Sequence, residues 1–193
     1  MTGGDMEMLK RREVLARVLE ARGDTLIVPS LGTSNYDLFA VSHAAENAYI
    51  WNAMGLTVPT GLGLAIAQPK RRVLVVAGDG DMMMGIGSLS VIAAQAPENL
   101  SILVMDNEMF EETGAQSGLS GARTDIAAIA RGSGFEKTMT ARSEDDVAKL
   151  AVFLLGQPGP VLAVVKVGPS TEKPVFPSMD GPGLVRTFRE AVI

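Results

Sequence analysis

The chain has 193 residues, of which 47% are hydrophobic and 20% charged; that length buries one sizeable core and is too short for two. With 17 basic and 22 acidic residues the formal charge is -5, and no basic cluster is dense enough to follow a phosphate backbone, so nucleic acid is not expected as a partner. Cysteine is absent, which removes disulfides, thiolate zinc sites and iron–sulfur clusters; no stretch has signal-peptide character or the ~20 apolar residues of a membrane span, so a soluble cytoplasmic protein with no membrane contact is expected.

Residues 6–21 place Leu9, Leu15, Val18 and Leu19 at helical spacing among Lys10, Arg11, Arg12 and Arg17, and Gly23 stops the pattern; the spacing predicts an amphipathic first helix. Residues 25–29 form a short apolar run, and similar runs at 73–77, 100–105 and 161–167 predict strands buried on both faces. Between them, helices are predicted over 58–67, 84–96, 125–131, 143–155 and 183–192. This alternation predicts an α/β fold, a doubly wound parallel sheet with helices on both faces. One domain is expected over residues 1–193, with a proline-rich extended arm over about 168–182. In such sheets ligands bind outside the carboxyl ends of the strands, so the residues after each strand matter most.

The run VLVVA leads into Gly78, Asp79, Gly80 and Asp81, and a helical stretch follows. Two glycines around an aspartate at a strand end let the backbone approach a ligand closely. The next helix offers free N–H groups and its positive dipole end to a phosphate. Alone, the same residues also describe a tight strand-to-helix turn with Asp79 as the helix cap. The run LSILVM then ends in Asp106 and Asn107, so hard oxygen donors again reach the ligand edge. Mg²⁺ takes near-octahedral oxygen coordination from few protein ligands plus water and phosphate. Asp79 and Asn107 supply two such donors with one negative charge, and a backbone carbonyl shortly after Asn107 adds a third. Their separation, 107 − 79 = 28 positions, fits a strand end, a crossover helix and a return strand.

Gly78-Asp79-Gly80 followed at this interval by Asp106-Asn107 resembles the binding motif of thiamine-diphosphate (ThDP) enzymes, GDG and then NN. Residues 53–65 are similar to the glycine-rich helix that precedes that motif in the decarboxylase and acetolactate synthase branch. The resemblance covers residues 28–167, and the run from Asp106 to Gln116 looks most like the small β subunits of the sulfopyruvate and phosphonopyruvate decarboxylase group. It implies that Asp79 and Asn107 are the side-chain ligands of Mg²⁺, with a carbonyl from Met109. It implies that Gly78, Gly80 and Asp81 lie against the diphosphate. It puts Met54 under the cofactor as the prop of its bent shape, the Asn52 carbonyl at the pyrimidine amino group, and Ala53 and Phe110 beside the cofactor.

The implied activity is a ThDP- and Mg²⁺-dependent decarboxylation of a small 2-oxo acid. In such enzymes the activating glutamate sits on a separate pyrimidine-binding domain, and 193 residues leave no space for it. A pyrimidine-binding partner subunit is therefore expected, in a hetero-oligomer of at least two copies of each chain (α2β2). A carboligase subunit of acetolactate synthase type and a non-catalytic nucleotide-binding module are the alternative readings. On this chain Glu111 and Gln116 are the candidates for active-site roles; for Glu111 with Glu112, a solvated charge pair is the other reading. Met82, Met83, Met84 and Met109 suit an adaptable apolar interface, the first three equally a core. His43, the only histidine, is expected at a surface or interface near the end of a short helix, and Trp51 in packing. Asn35-Tyr36-Asp37 stands where the group has a serine–arginine–acid run, so a doubly anionic substrate lacks its expected holder.

Overall fold

The computed structural model describes residues 8–51 and 54–193. The strands are β1 (Leu26–Pro29), β2 (Val73–Gly78), β3 (Leu100–Asp106), β4 (Met109–Phe110), β5 (Gln116–Ser117), β6 (Lys137–Ala141) and β7 (Val161–Lys166). The helices are α1 (Arg11–Leu19), α2 (Thr33–Ser42), α3 (Thr57–Ala67), α4 (Asp79–Met84), α5 (Ser88–Gln95), α6 (Ile126–Gly132), α7 (Glu144–Leu155) and α8 (Gly181–Val192). Five strands form one parallel sheet in the order β1-β2-β3-β7-β6, and β4 and β5 make a separate antiparallel hairpin.

Alternation along the strands divides the interior into two cores. Val73, Val75 and Ala77 of β2 and Ile102 and Val104 of β3 face Leu62 of α3, Ile92 of α5 and Ala130 of α6. Leu74, Val76, Leu103 and Met105 face the other way, onto Leu15 and Val18 of α1, Leu38 of α2 and Leu150 of α7. The sheet is covered on both sides, so the doubly wound α/β expectation holds.

Besides helix α2 and the β4–β5 hairpin, for which no range is predicted, three elements differ from the sequence expectation. Helix α1 starts at Arg11, because Leu9 bridges Val167 and accepts a hydrogen bond from the Gly168 N–H at 2.9 Å; residues 6 and 7 lie outside the described part. The helix expected over 84–96 is two helices, α4 and α5. At Gly85, between them, a Cβ would stand 2.3 Å from the Gly55 carbonyl oxygen, so the crossing of the Gly55 loop occupies the space that a continuing side chain needs. Strand β6 is an added edge strand, whose half-buried residues Lys137 to Thr140 lack the apolar run of a central strand. The ends of α6 and α7 follow capping chemistry: Asp125 Oδ1 accepts from the Ala128 N–H at 2.9 Å, and Ser143 Oγ from the Asp146 N–H at 3.3 Å. Residues 168–180 join β7 to α8 without helix or strand. Among the described residues no helix is long and apolar enough to cross a membrane.

Candidate functional site

Strands β2 and β3 pair in a register that sets Gly78 opposite Met105. Asp79 and the pair Asp106-Asn107 therefore leave the sheet side by side at its carboxyl edge. A cleft of about 110 Å³ opens there, lined by Met54, Gly78, Asp79, Gly80, Asp81, Asn107, Met109, Phe110 and Glu111, with Arg11, Ser30, Thr33 and Ser34 on the side of α2. Gln116 is not brought to it. That residue sits exposed on β5, its amide closed on Thr113 by two contacts of 2.8 Å. Asn52 and Ala53 lie outside the described residues.

Asp79 is the first residue of α4, and Gly78 is the N-cap, so the alternative of Asp79 as the helix cap does not hold. Its carboxylate is buried, with Oδ2 2.8 Å from Ser120 Oγ; the same Oγ is 2.8 Å from Asp106 Oδ1. Burial first, and then the charge of Asp106, push the Asp79 carboxyl above the usual range, while the Ser120 hydroxyl and the backbone N–H groups of Asp79 and Gly80 oppose them. Asp106 itself is committed elsewhere: its Oδ2 pairs with Lys166 Nζ at 2.7 Å, and its Oδ1 accepts from the Glu108 N–H at 3.1 Å. Lys166 also meets Glu108 at 2.6 Å.

Asn107 is held at both ends of its amide. Nδ2 donates to Glu111 Oε2 at 2.9 Å, and Oδ1 accepts from the Met109 N–H at 3.1 Å. The assignment of O and N follows from those partners, since a carboxylate takes a donor and an N–H takes an acceptor. The second carboxylate oxygen of Glu111 accepts from the backbone N–H of Ser170. Glu111 is thus the clamp between Asn107 and the segment after β7, in place of half of a solvated charge pair; Glu112 beside it is exposed.

Gly80 has no space for a side chain, since a Cβ there would lie 2.9 Å from the Phe110 ring and 3.1 Å from Met54 Cε. Asp81 turns inward, where Oδ1 accepts from the Gly55 N–H at 2.8 Å and Oδ2 has no partner among the described residues. Burial raises its pKa, against the Gly55 N–H and the Thr57 hydroxyl. Asp81 therefore ties α4 to the loop that carries Met54.

The donor set fits a hard cation. Among the described residues no group of three or more His, Cys, Asp or Glu could hold a metal, so a cation here would draw on few side chains and fill its shell with carbonyl, water and phosphate oxygens. That is the habit of Mg²⁺ and not of a structural zinc. A glycine pinched between Met54 and Phe110 likewise leaves bare backbone beside the cleft.

Of the remaining candidates all but Met84 are in packing. Met82 is fully buried, Met83 packs partly against the core and Met84 is 67% exposed. Tyr36 is absent from the cleft lining; its ring meets Phe176 edge-on at 4.7 Å. The Trp51 indole donates to the Ser178 carbonyl at 3.0 Å, and His43 Nδ1 lies 3.3 Å from the Tyr49 hydroxyl. Sequence reasoning missed Arg11, Ser120 and Lys166. Only Lys166, at the carboxyl end of a predicted strand, had a positional signal.

The family model of the thiamine pyrophosphate enzyme C-terminal TPP binding domain matches residues 32–165. Sulfopyruvate decarboxylase subunit beta of Methanothermobacter thermautotrophicus is 32% identical over 185 residues, covering 96% of this chain and 96% of that one. Phosphonopyruvate decarboxylase of Streptomyces viridochromogenes is 35% identical over 174 residues, 90% of this chain and 42% of that protein. The X-ray structure of an enzyme from Mycobacterium smegmatis, assigned as thiamin diphosphate-dependent, superimposes with a TM-score of 0.69 at 22% identity. It covers 86% of this chain and 34% of that one, a likeness of fold.

Proposed function

This chain belongs to the thiamine pyrophosphate enzymes, as their C-terminal TPP binding domain, and on that premise we propose that it is the diphosphate-binding subunit of a ThDP- and Mg²⁺-dependent 2-oxo acid decarboxylase of the sulfopyruvate and phosphonopyruvate type. The observation that carries the reading is the convergence of Asp79 and Asn107, from the ends of two neighbouring parallel strands, on one cleft. The Asp79 carboxylate, the Asn107 side-chain oxygen and the Met109 carbonyl hold Mg²⁺. Gly78, Gly80 and Asp81 offer backbone to the diphosphate, and Met54 and Phe110 shape the apolar wall. When bound, ThDP supplies the electron sink that decarboxylation of a 2-oxo acid needs. The chain's own contribution is orientation, which in favourable systems is worth about 7–11 kcal/mol.

On this reading the chain is a single diphosphate-binding domain, and a pyrimidine-binding partner subunit completes the active site, with at least two copies of each chain. The relatives that are beta subunits by name support such a partner. The absence of cysteine agrees with a cytoplasmic location.

Asp79→Ala and Asn107→Ala, each in the complex with the partner, are expected to abolish Mg²⁺-dependent ThDP binding in a calorimetric titration. Wild-type affinity in both variants would overturn the assignment of the metal pair. A panel of 2-oxo acids assayed for CO₂ release identifies the substrate, and turnover by the pure chain alone contradicts the need for a partner.

A further inference from the structure

Asn107 stands between two acids that share one cation. Asp106 and Glu108 each send a carboxylate to Lys166 Nζ, at 2.7 and 2.6 Å, while the Asn107 side chain between them reaches Glu111 at 2.9 Å. Lys166 is the last residue of β7, and the register of β3 and β7 sets it opposite Asp106. Its side chain is 17% exposed and that of Asp106 2%. Burial alone would loosen the Lys166 proton, but the two carboxylates outweigh it and leave the ammonium more firmly charged than usual. The core of the arrangement is a buried ion pair, with Glu108 closing it on the solvent side.

Glu108 is also the joint between two of the oxygen donors assigned to Mg²⁺, the Asn107 side chain and the Met109 carbonyl. Its φ of 63° lies in the left-handed region, which a residue with a Cβ keeps only where its surroundings hold it. Asp106 Oδ1 accepts from the Glu108 N–H at 3.1 Å, and the Glu108 carbonyl accepts from the Gly118 N–H at 2.7 Å. Gly121 packs so close that a Cβ there would stand 2.9 Å from the Glu108 Cβ. Lys166 enters this turn twice: it binds Glu108 directly, and it fixes Asp106, the acceptor of the Glu108 N–H. Lys166, Asp106 and Glu108 are all absent from the cleft lining, so Lys166 reaches a bound cation through the strand end and not by contact. Charge and geometry therefore pull in opposite directions. By Coulomb's law alone, removing a cation behind the site would tighten Mg²⁺; removing the tie that sets the turn would loosen it.

We propose that Lys166 is a positioning residue for the metal: by binding the acids on both sides of Asn107 it fixes the turn that presents the Asn107 oxygen and the Met109 carbonyl to one cation. The proposal rests on reading Asp79, Asn107 and Met109 as the Mg²⁺ donors, and it adds to them a residue that touches neither metal nor cofactor.

The test compares wild type, Lys166→Met, Lys166→Arg and Glu108→Gln, each in the complex with its partner. Mg²⁺ is titrated calorimetrically at saturating ThDP, and Mn²⁺, which takes the same kinds of oxygen donor, reports the bound cation by its electron paramagnetic resonance spectrum. Lys166→Met is expected to weaken Mg²⁺ about tenfold, as loss of a group that orients metal ligands does, and to change the Mn²⁺ spectrum. Lys166→Arg keeps the charge and spans two carboxylates, so it recovers most of the affinity. Glu108→Gln removes the more exposed tie and leaves the Asp106 pair intact, for a loss of about threefold. Lys166→Met strands a buried carboxylate; should that protein not fold, Glu108→Gln and Lys166→Arg carry the comparison. Melting of each variant without metal separates lost stability from lost affinity. Unchanged Mg²⁺ affinity and Mn²⁺ spectrum in a variant that only melts lower overturn the proposal, because the pair is then structural. Tighter Mg²⁺ in Lys166→Met overturns it as well, because repulsion then outweighs positioning. A wild type that binds no Mg²⁺-ThDP overturns the cofactor reading and the proposal with it, a failure told apart from the others by appearing in the wild type.

Discussion

Asn107 donates its side-chain amide to Glu111 at 2.9 Å, and that bond decides which end of the amide is left to accept. A carboxylate partner is specific for the N–H₂ end, whereas a glutamine at 111 would tolerate either orientation. Glu111→Gln should therefore weaken Mg²⁺ binding about tenfold at saturating ThDP, or ~1.4 kcal/mol, near the lower end of what a charged hydrogen bond contributes. A Mg²⁺ titration of the holoenzyme reads it directly, and an unchanged affinity means that Asn107 is oriented without Glu111.

Ser120 stands between two buried carboxylates with a single proton to give. Removing its hydroxyl leaves Asp79 and Asp106 with less screening from one another. We expect Ser120→Ala to cost about 1–3 kcal/mol. Urea denaturation should show a lower midpoint with the same slope. An unmoved midpoint would show that the bridge contributes nothing net.

Protonation of Asp79 gives the fold a pH signature. Its carboxyl is pushed up chiefly by burial and also by the Asp106 charge. A group that holds its proton more tightly folded than unfolded adds stability that is fully present below the ordinary carboxylate range and lost as pH rises through the raised value. Asp81, raised by burial, has the same sign. Without cofactor, melting temperature should fall with rising pH across that interval, and Asp79→Asn should remove part of the slope. Mg²⁺ competes for the same oxygen, so ThDP binding should strengthen over the same rise in pH. A slope unaltered in Asp79→Asn contradicts the assignment.

Gly85→Ala places a methyl group within 2.3 Å of the Gly55 carbonyl. Backbone, not a mobile side-chain tip, must move, and overpacking of that kind costs about 1–3 kcal/mol. Because the displaced loop carries Met54, ThDP affinity should fall together with the melting temperature. Full affinity in a destabilised Gly85→Ala protein would separate the loop from the site.

The parts of the fold that could be read in the sequence are those where burial is complete. Strands β2, β3 and β7 declare themselves by unbroken apolar runs, and Asp79 and Asn107 by standing just past two of them. Strand β6 was hidden because an edge strand needs few apolar residues, and the break at Gly85 because its cause is a contact with Gly55, 30 positions away (85 − 55). In the sequence Arg11 is one cation among Lys10, Arg12 and Arg17 on an amphipathic helix. Only the arrival of Asp37 from α2 makes it an interior charge. Glu111 was legible as an acid near the site, but its duties to Asn107 and Ser170 depend on a segment about 60 residues downstream, Ser170 − Glu111 = 59.

Residue pairing between β2 and β3, with Gly78 opposite Met105, makes the site sensitive to phase and indifferent to length. Residues added in a turn outside the two strands leave Asp79 and Asn107 facing each other, because neighbouring strands, not the intervening chain, set their distance. One residue added inside β3 would carry Asn107 past the cleft and turn every following side chain to the opposite core.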